Sequence, residues 1–221
     1  MLVLTTMRLV IGPLNYSSWS LRPWLALDHA GANFKTHEIA LFVDPDYRDK
    51  ILQFSGAGKV PILVDGSLSV HESLAICEYV AEQFPAAKLW PRDSQLRARA
   101  RAVSAEMSTS FSHVRNEMPM NCRGRAQAFT AGEGVASEIA RVRDIWRASL
   151  STSHGPYLFG DFSIADCMYM PVLSRFRTYG IGLDGVEAAW EHQMWRHPSV
   201  IRWVERARES PPVPHYDAFC D

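Results

Sequence analysis

A charge surplus of either sign is missing from these 221 residues: 23 Lys and Arg stand against 24 Asp and Glu, a formal net charge of −1. Near neutrality removes the field that draws nucleic acid or an anionic membrane surface to a basic protein, so neither is an expected partner. Also missing is any uninterrupted apolar run of about 18 residues that could cross a bilayer. The opening Met1-Leu2-Val3-Leu4-Thr5-Thr6 lacks the basic segment and long apolar stretch of a secretory leader, and a cytoplasmic protein is expected. Cysteine is scarce and scattered. Cys77, Cys122, Cys167 and Cys220 lie 45, 45 and 53 residues apart, which fits neither a zinc pattern nor a dense disulfide framework. Reduced thiols are the expectation. The eight histidines have no metal-ligand spacing, and His71-Glu72 is not followed by the second histidine a metalloprotease helix needs. No metal is expected. Gly56-Ala57-Gly58-Lys59 runs into Val60-Pro61 instead of a hydroxyl residue and a helix, so it fails as a phosphate loop. The absence of a Gly-x-Gly-x-x-Gly turn or a Gly-x-Ser-x-Gly elbow leaves dinucleotide and α/β-hydrolase chemistry without support.

What is present is an ordinary globular composition, 47% hydrophobic and 21% charged, with length for one large domain or two modest ones. Met7-Arg8-Leu9-Val10-Ile11 reads as a strand ended by Gly12-Pro13. A helical segment with Leu21, Trp24, Leu25 and Ala26 then runs to Gly31. A second strand is expected around His37 to Leu41. Past a polar stretch and the Gly56-Ala57-Gly58 loop come Pro61-Ile62-Leu63-Val64, a turn at Asp65-Gly66, and Leu68-Ser69-Val70. A helix follows from Ser73 to Phe84. The order β-α-β-α-β-β-α predicts one mixed four-stranded sheet with helices packed on it. Residues 85–94, bounded by prolines and without periodicity, read as a linker. Beyond it, helical patterns span Gln95 to about Met118, about Ala126 to Leu150, Ser163 to Tyr179 and Pro198 to Arg208. The fold class is therefore α+β: a mixed-sheet domain over 1–84 and an all-α domain over 95–221. The Pro-rich end reads as a tail able to pack through His215, Tyr216 and Phe219.

Three pieces of the first domain carry chemistry. In Asn15-Tyr16-Ser17-Ser18-Trp19-Ser20-Leu21-Arg22-Pro23, Pro23 belongs in a first helical turn, placing the helix start near Ser18 to Ser20. The hydroxyls of Ser17, Ser18 and Ser20 then lie beside free amides and the positive end of the helix dipole, a site for an anion. One of these serines serving as a plain N-cap is the alternative. In Gly58-Lys59-Val60-Pro61, a cis Val60-Pro61 bond would turn the Val60 N–H and C=O outward to pair with an extended peptide; a trans proline starting an edge strand is the other option. In His71-Glu72-Ser73-Leu74, Ser73 at a helix start offers a hydroxyl and amides to a carboxylate while Glu72 offers a charge to an ammonium. The pair suits an α-amino acid end.

The Ser-Ser-x-Ser helix start, Gly-Lys-Val-Pro and Glu-Ser-Leu-Ala-Ile, at these separations and ahead of a helical domain, resemble a cytosolic glutathione transferase with a thioredoxin-like N-terminal domain. The resemblance covers residues 8 to 84. In the second domain it rests on Ser163-Ile164-Ala165-Asp166, a Ser-x-x-Asp capping box before an apolar helix. It implies a homodimer, a detoxifying role, glutathione as co-substrate and a small electrophile as the second substrate. Carried over by position, Glu72 and Ser73 would hold the γ-glutamyl end, Lys59, Val60 and Pro61 the cysteinyl portion, and Ser17 the thiol, with Ser18 beside it. Tyr16 is the alternative thiol partner, as in the tyrosine-type classes. Ser17 and Ser20 stand where thioredoxin-like relatives carry Cys-x-x-Cys, so a protein-thiol exchange lacks its nucleophile. The serine start is similar to the Zeta class, except that Trp19 replaces a cysteine. Thiolate transfer, a glutathione-dependent isomerisation of the maleylacetoacetate type, and a noncatalytic binding module are the three readings.

The electrophile pocket is expected from Met107, Phe111 and Met118-Pro119-Met120-Asn121, with Arg115 and Arg123 available to an anionic group. Core packing is the competing reading for the apolar members, and a solvated helix face for the arginines.

Overall fold

The computed structural model describes residues 6–220, so the leader reading of residues 1–5 lies outside the described residues. Strand β1, Met7–Ile11, is flanked by β2, Phe34–Glu38, and β3, Ile62–Asp65; β4, Leu68–His71, closes the sheet in the order β2-β1-β3-β4. β1 and β2 are parallel, joined through helix α1, Ser18–His29, because parallel neighbours need a crossover. β3 runs antiparallel to β1 and turns directly into β4 at Asp65-Gly66. Helix α2, Tyr47–Leu52, covers one face of the sheet and α3, Ser73–Gln83, lies with α1 on the other.

Alternation along β1 divides its side chains between two cores. Leu9 and Ile11 join Leu25, Ile76 and Val80 under α1 and α3, whereas Val10 joins Ile39, Ile51 and Ile62 under α2. β2 begins three residues earlier than its apolar signal suggested. Phe34 to Glu38 is a largely polar edge strand, and the apolar Ile39 lies just past it, its N–H bonded to the Ile11 carbonyl at 2.8 Å.

After a turn of 3-10 helix at Pro85–Ala87 come α4, Ser94–Thr109, α5, Ser112–Glu117, α6, Glu133–Ser153, α7, Ile164–Thr178, α8, Gly185–Arg196, α9, Pro198–Arg208, and α10, Pro214–Asp217. The helix expected from Gln95 to Met118 is broken at Phe111, which takes a left-handed φ of 63°. Glu138 of α6 accepts from the His113 and Val114 amides at 3.2 and 2.8 Å, satisfying the start of α5 after the break. The α6 start is later than expected, at the Gly132 cap. α8 was not anticipated, although Trp190 and Met194 are an i,i+4 buried pair on it.

Helix α7 is buried on almost all sides and packs on α1 and α4, and one continuous apolar cluster runs from Leu9 to Trp203. Its capping box forms as expected. Asp166 accepts from Ser163 N and Ser163 Oγ, both at 3.0 Å, and also from Leu158 N and Trp190 Nε1 at 3.0 and 2.9 Å. Burial pushes this carboxyl up to about 6, against the pull of those four bonds. Of the tail residues, Tyr216 stacks on Tyr16 with ring centroids 5.2 Å apart and His215 meets Phe42 at 5.3 Å, while Phe219 stays exposed.

Candidate functional site

Helix α1 starts at Ser18, within the expected range, but Pro23 is its sixth residue, beyond the first turn where the proline was placed. Its missing N–H leaves the Trp19 carbonyl without a helical donor. Ser17 caps the helix through its carbonyl, which accepts from Ser20 N and Leu21 N at 3.1 Å each. Its hydroxyl makes no cap bond and instead meets Ser20 Oγ at 2.7 Å. Ser20 Oγ accepts from Gly12 N–H at 3.2 Å, so the Ser20 hydroxyl can donate to Ser17 and leave the Ser17 proton for a third partner. Gly12 permits this approach: a Cβ there would lie 2.6 Å from Leu41 Cδ1 and 3.1 Å from Ser17 Oγ.

Two chambers open on this helix start. The larger, about 740 Å³, is lined by Ser17, Ser18, Phe42, Arg115, Arg175 and Tyr216 among others, and the smaller, about 370 Å³, by Pro61, His71, Glu72, Ser73 and Ser108. Trp19, Lys59 and Val60 line both, joining them into one cleft between the sheet and the helices. The Val60-Pro61 bond is cis, and among the described residues neither the N–H nor the C=O of Val60 has a hydrogen-bond partner.

At the far end, Glu72 precedes α3 with φ 70° and ψ 126°, a backbone region that non-glycine residues adopt at a cost of about 1–3 kcal/mol and that marks functional corners. Its exposed carboxylate makes no hydrogen bond among the described residues. Ser73, only 1% exposed, has a hydroxyl with no partner among the described residues. A buried unsatisfied hydroxyl at a helix N-terminus calls for a ligand acceptor.

Tyr16 also borders the larger chamber, but its hydroxyl is committed elsewhere. It donates to Asp217 Oδ1 at 2.7 Å and accepts from Arg123 Nη2 at 2.7 Å and Val213 N at 3.2 Å. Burial, and then the bond to Asp217, raise its pKa above that of an ordinary tyrosine. These bonds fasten the C-terminal segment, whereas among the described residues the Ser17 hydroxyl meets only Ser20 Oγ.

Most of the expected electrophile pocket is not in the cleft. Met107, Phe111 and Met118 are core residues, because the break at Phe111 turns that face of the helix inward. Asn121 is buried, accepting from Asn15 Nδ2 at 2.7 Å and Gly124 N at 2.9 Å and donating to Asp217 Oδ1 at 3.1 Å. Arg123 is held by Tyr16 and the Ser210 carbonyl. Of that set Arg115, Pro119 and Met120 line the chamber, joined by Asn116. Trp19 and Arg175 were missed. Trp19 sits inside the hydroxyl run already singled out, and Arg175 was legible as a charge in the apolar α7. Among the described residues no three His, Cys, Asp or Glu side chains cluster as metal ligands, and no helix is long and apolar enough to cross a membrane.

Comparison with known proteins places this arrangement. A family profile described as "Glutathione S-transferase, N-terminal domain" matches residues 16–83, and one described as "Glutathione S-transferase, C-terminal domain" matches 123–206. The probable maleylacetoacetate isomerase of Caenorhabditis elegans is 27% identical over 168 residues, 76% of this chain and 77% of that protein. Glutathione S-transferase 1 of Dianthus caryophyllus is 28% identical over 186 residues, 82% of this chain and 83% of that protein. A solved glutathione transferase homolog from Burkholderia gl BGR1, with bound glutathione, shares the fold with a TM-score of 0.68 at 24% identity, over 92% of this chain and 98% of that one.

Proposed function

Because the chain belongs to the glutathione S-transferase family, we propose that its cleft holds glutathione along the smaller chamber and directs the thiolate, at Ser17, toward a small electrophile in the larger one. Glu72 takes the ammonium and Ser73 the carboxylate of the γ-glutamyl end. The Val60 backbone pairs with the cysteinyl portion between Lys59 and Pro61. Ser17 donates to the sulfur, and Ser18 supports the start of α1 next to it. The thiol proton passes to solvent, and the thiolate attacks the electrophilic carbon, forming a C–S bond as the leaving group departs with its electron pair. The observation that carries this reading is the buried, unpartnered Ser73 hydroxyl at one end of a cleft whose other end presents the Ser17 hydroxyl. No metal takes part in it.

The same proposal divides the chain into a thioredoxin-like glutathione-binding domain at 1–84, a linker at 85–94 and a helical domain at 95–221. It includes a homodimer, a cytoplasmic location and a detoxifying role, as the family resemblance implies. A second reading, glutathione-dependent isomerisation, is supported by the likeness to the Caenorhabditis elegans protein.

Calorimetric titration with glutathione tests the proposal on Ser73→Ala. Affinity is expected to fall about 10- to 100-fold, since a hydrogen bond to a charged group contributes about 1.5–3 kcal/mol. The ligand-free protein should keep or gain stability, because an unsatisfied buried hydroxyl is removed. Unchanged affinity would refute the placement. Turnover of halide electrophiles against maleylacetoacetate separates transfer from isomerisation, and binding without any turnover would leave a noncatalytic module.

A further inference from the structure

The electrophile end of the cleft carries positive charge that the thiolate chemistry leaves unused. Arg115 of α5 and Arg175 of α7 line the larger chamber next to Ser18 and Trp19. Arg22 lies behind Trp19, its guanidinium carbon 4.2 Å from the ring centroid, with that of Arg115 at 5.7 Å. All three are short of acidic partners. Arg175, 3% exposed, spends its N–H groups on neutral oxygens: Nε to Met118 O at 2.7 Å, Nη1 to Pro171 O at 3.2 Å and Nη2 to Ser18 Oγ at 3.3 Å. Arg115 donates to the Met107 and Ser110 carbonyls. Arg22 is fully buried; its Nε reaches Met168 O at 3.1 Å, and its Nη1 and Nη2 have no hydrogen-bond partner among the described residues.

Among the described residues no ion pair includes any of the three. The carboxylate that acts on Arg115 from α6, Glu138, is occupied by the α5 amides. Burial, and then their mutual repulsion, bring Arg22 down to about 9 and Arg175 to about 10. Buried like charges without a counter-ion are unfavourable unless a ligand supplies one. Ser18 Oγ accepts from Arg175 and keeps its own hydrogen to donate.

Resting on the glutathione reading above, we propose that Arg115, Arg175 and the Ser18 hydroxyl form a carboxylate subsite, so that the preferred co-substrates are small electrophiles bearing an anionic group. Arg22 reinforces the subsite through Trp19. The anchored carboxylate sets the reacting carbon next to the sulfur at the neighbouring Ser17.

A matched pair tests this: 4-(chloromethyl)benzoate and its methyl ester, each with saturating glutathione. In both reactions a C–S bond forms at the benzylic carbon, the C–Cl bond breaks, chloride leaves with the electron pair, and the thiol proton goes to solvent. The acid-to-ester ratio of kcat/KM should be about ten or more in the natural protein, and about tenfold lower in Arg115→Gln and Ser18→Ala. The inflection of the pH–rate profile for the ester should stay where it was in Arg115→Gln, which separates a carboxylate anchor from a residue that merely stabilises the thiolate. A ratio at or below one, or a ratio that Arg115→Gln leaves unmoved, overturns the subsite. Calorimetric titration with 4-methylbenzoate against 4-methylbenzamide reads the same subsite without glutathione, and preference for the amide, or none, overturns it as well. Failure of glutathione to bind would instead overturn the reading on which the subsite rests, while the benzoate titration still decides the subsite itself.

Discussion

Replacing Ser17 by alanine removes the hydroxyl that the proposed mechanism sets against the glutathione sulfur. For a thiol of ordinary pKa about 8.5 to be mostly ionised at neutral pH, its pKa must drop by about 2 units, or roughly 2.7 kcal/mol. The start of α1 supplies about 0.3–1 kcal/mol, and a hydrogen bond to the charged sulfur about 1.5–3 kcal/mol. The helix start alone falls short; the two together reach the requirement. In Ser17→Ala only the helix contribution survives, so the inflection of kcat/KM against pH should rise by about 1–2 units. Turnover below the original inflection should fall about 10- to 100-fold, converging with the natural protein in alkali. The fold should withstand the change, because the Ser17 side chain makes no cap bond and only its contact with Ser20 is lost. The assay is the pH–rate profile with a halide electrophile, paired with ultraviolet titration of the bound thiolate. An inflection that does not move, in a variant that still binds glutathione, refutes the assignment of Ser17.

Tyr16→Phe should leave that inflection in place while loosening the C-terminal segment, because three hydrogen bonds end on its hydroxyl. A stability loss of about 1–3 kcal/mol and faster proteolysis beyond residue 210 are expected. Gly12→Ala should push Leu41 and Ser17 apart and lower turnover about tenfold with little change in glutathione affinity, checked by kinetics and calorimetry. His197 meets His29 across the sheet and helical parts, Nε2 to Nδ1 at 3.2 Å, and stacks on Phe162. Burial, then the His29 ring, hold it down to about 4. Its folded pKa lies below the unfolded value of about 6.5, so the unfolded chain takes up protons first as pH falls. Stability present above about pH 6.5 is therefore lost toward pH 4. Thermal midpoints across that range should record the fall, and His197→Asn, which keeps a capping acceptor for Ser199 N, should flatten it.

Local chemistry made much of this protein readable. The strand Met7–Ile11, the α1 start at Ser18, the capping box of Ser163 and Asp166, and the helix Pro198–Arg208 each depend on short-range pattern, and each stands where the pattern put it. The polar edge strand β2 was misplaced because its pairing with β1, not its own apolarity, defines it. The break at Phe111 has no Gly or Pro to announce it; Glu138, more than 20 residues later, satisfies the amides that follow.

The candidate site divides along the same line. Ser17, Val60, Glu72 and Ser73 are recognisable in sequence as candidates because each sits at a helix start or a strand entry, where spacing dictates geometry. That the C-terminal segment, some 200 residues away in sequence, claims the Tyr16 hydroxyl is visible only in the folded chain. The electrophile pocket was the least legible part. Its lining depends on which side of a broken helix points inward, and on Arg175 reaching Ser18 across the two halves of the fold. Helix starts and strand entries are short-range objects that neighbouring residues can specify. A cavity wall, and the charge left uncompensated within it, exist only once distant segments have packed.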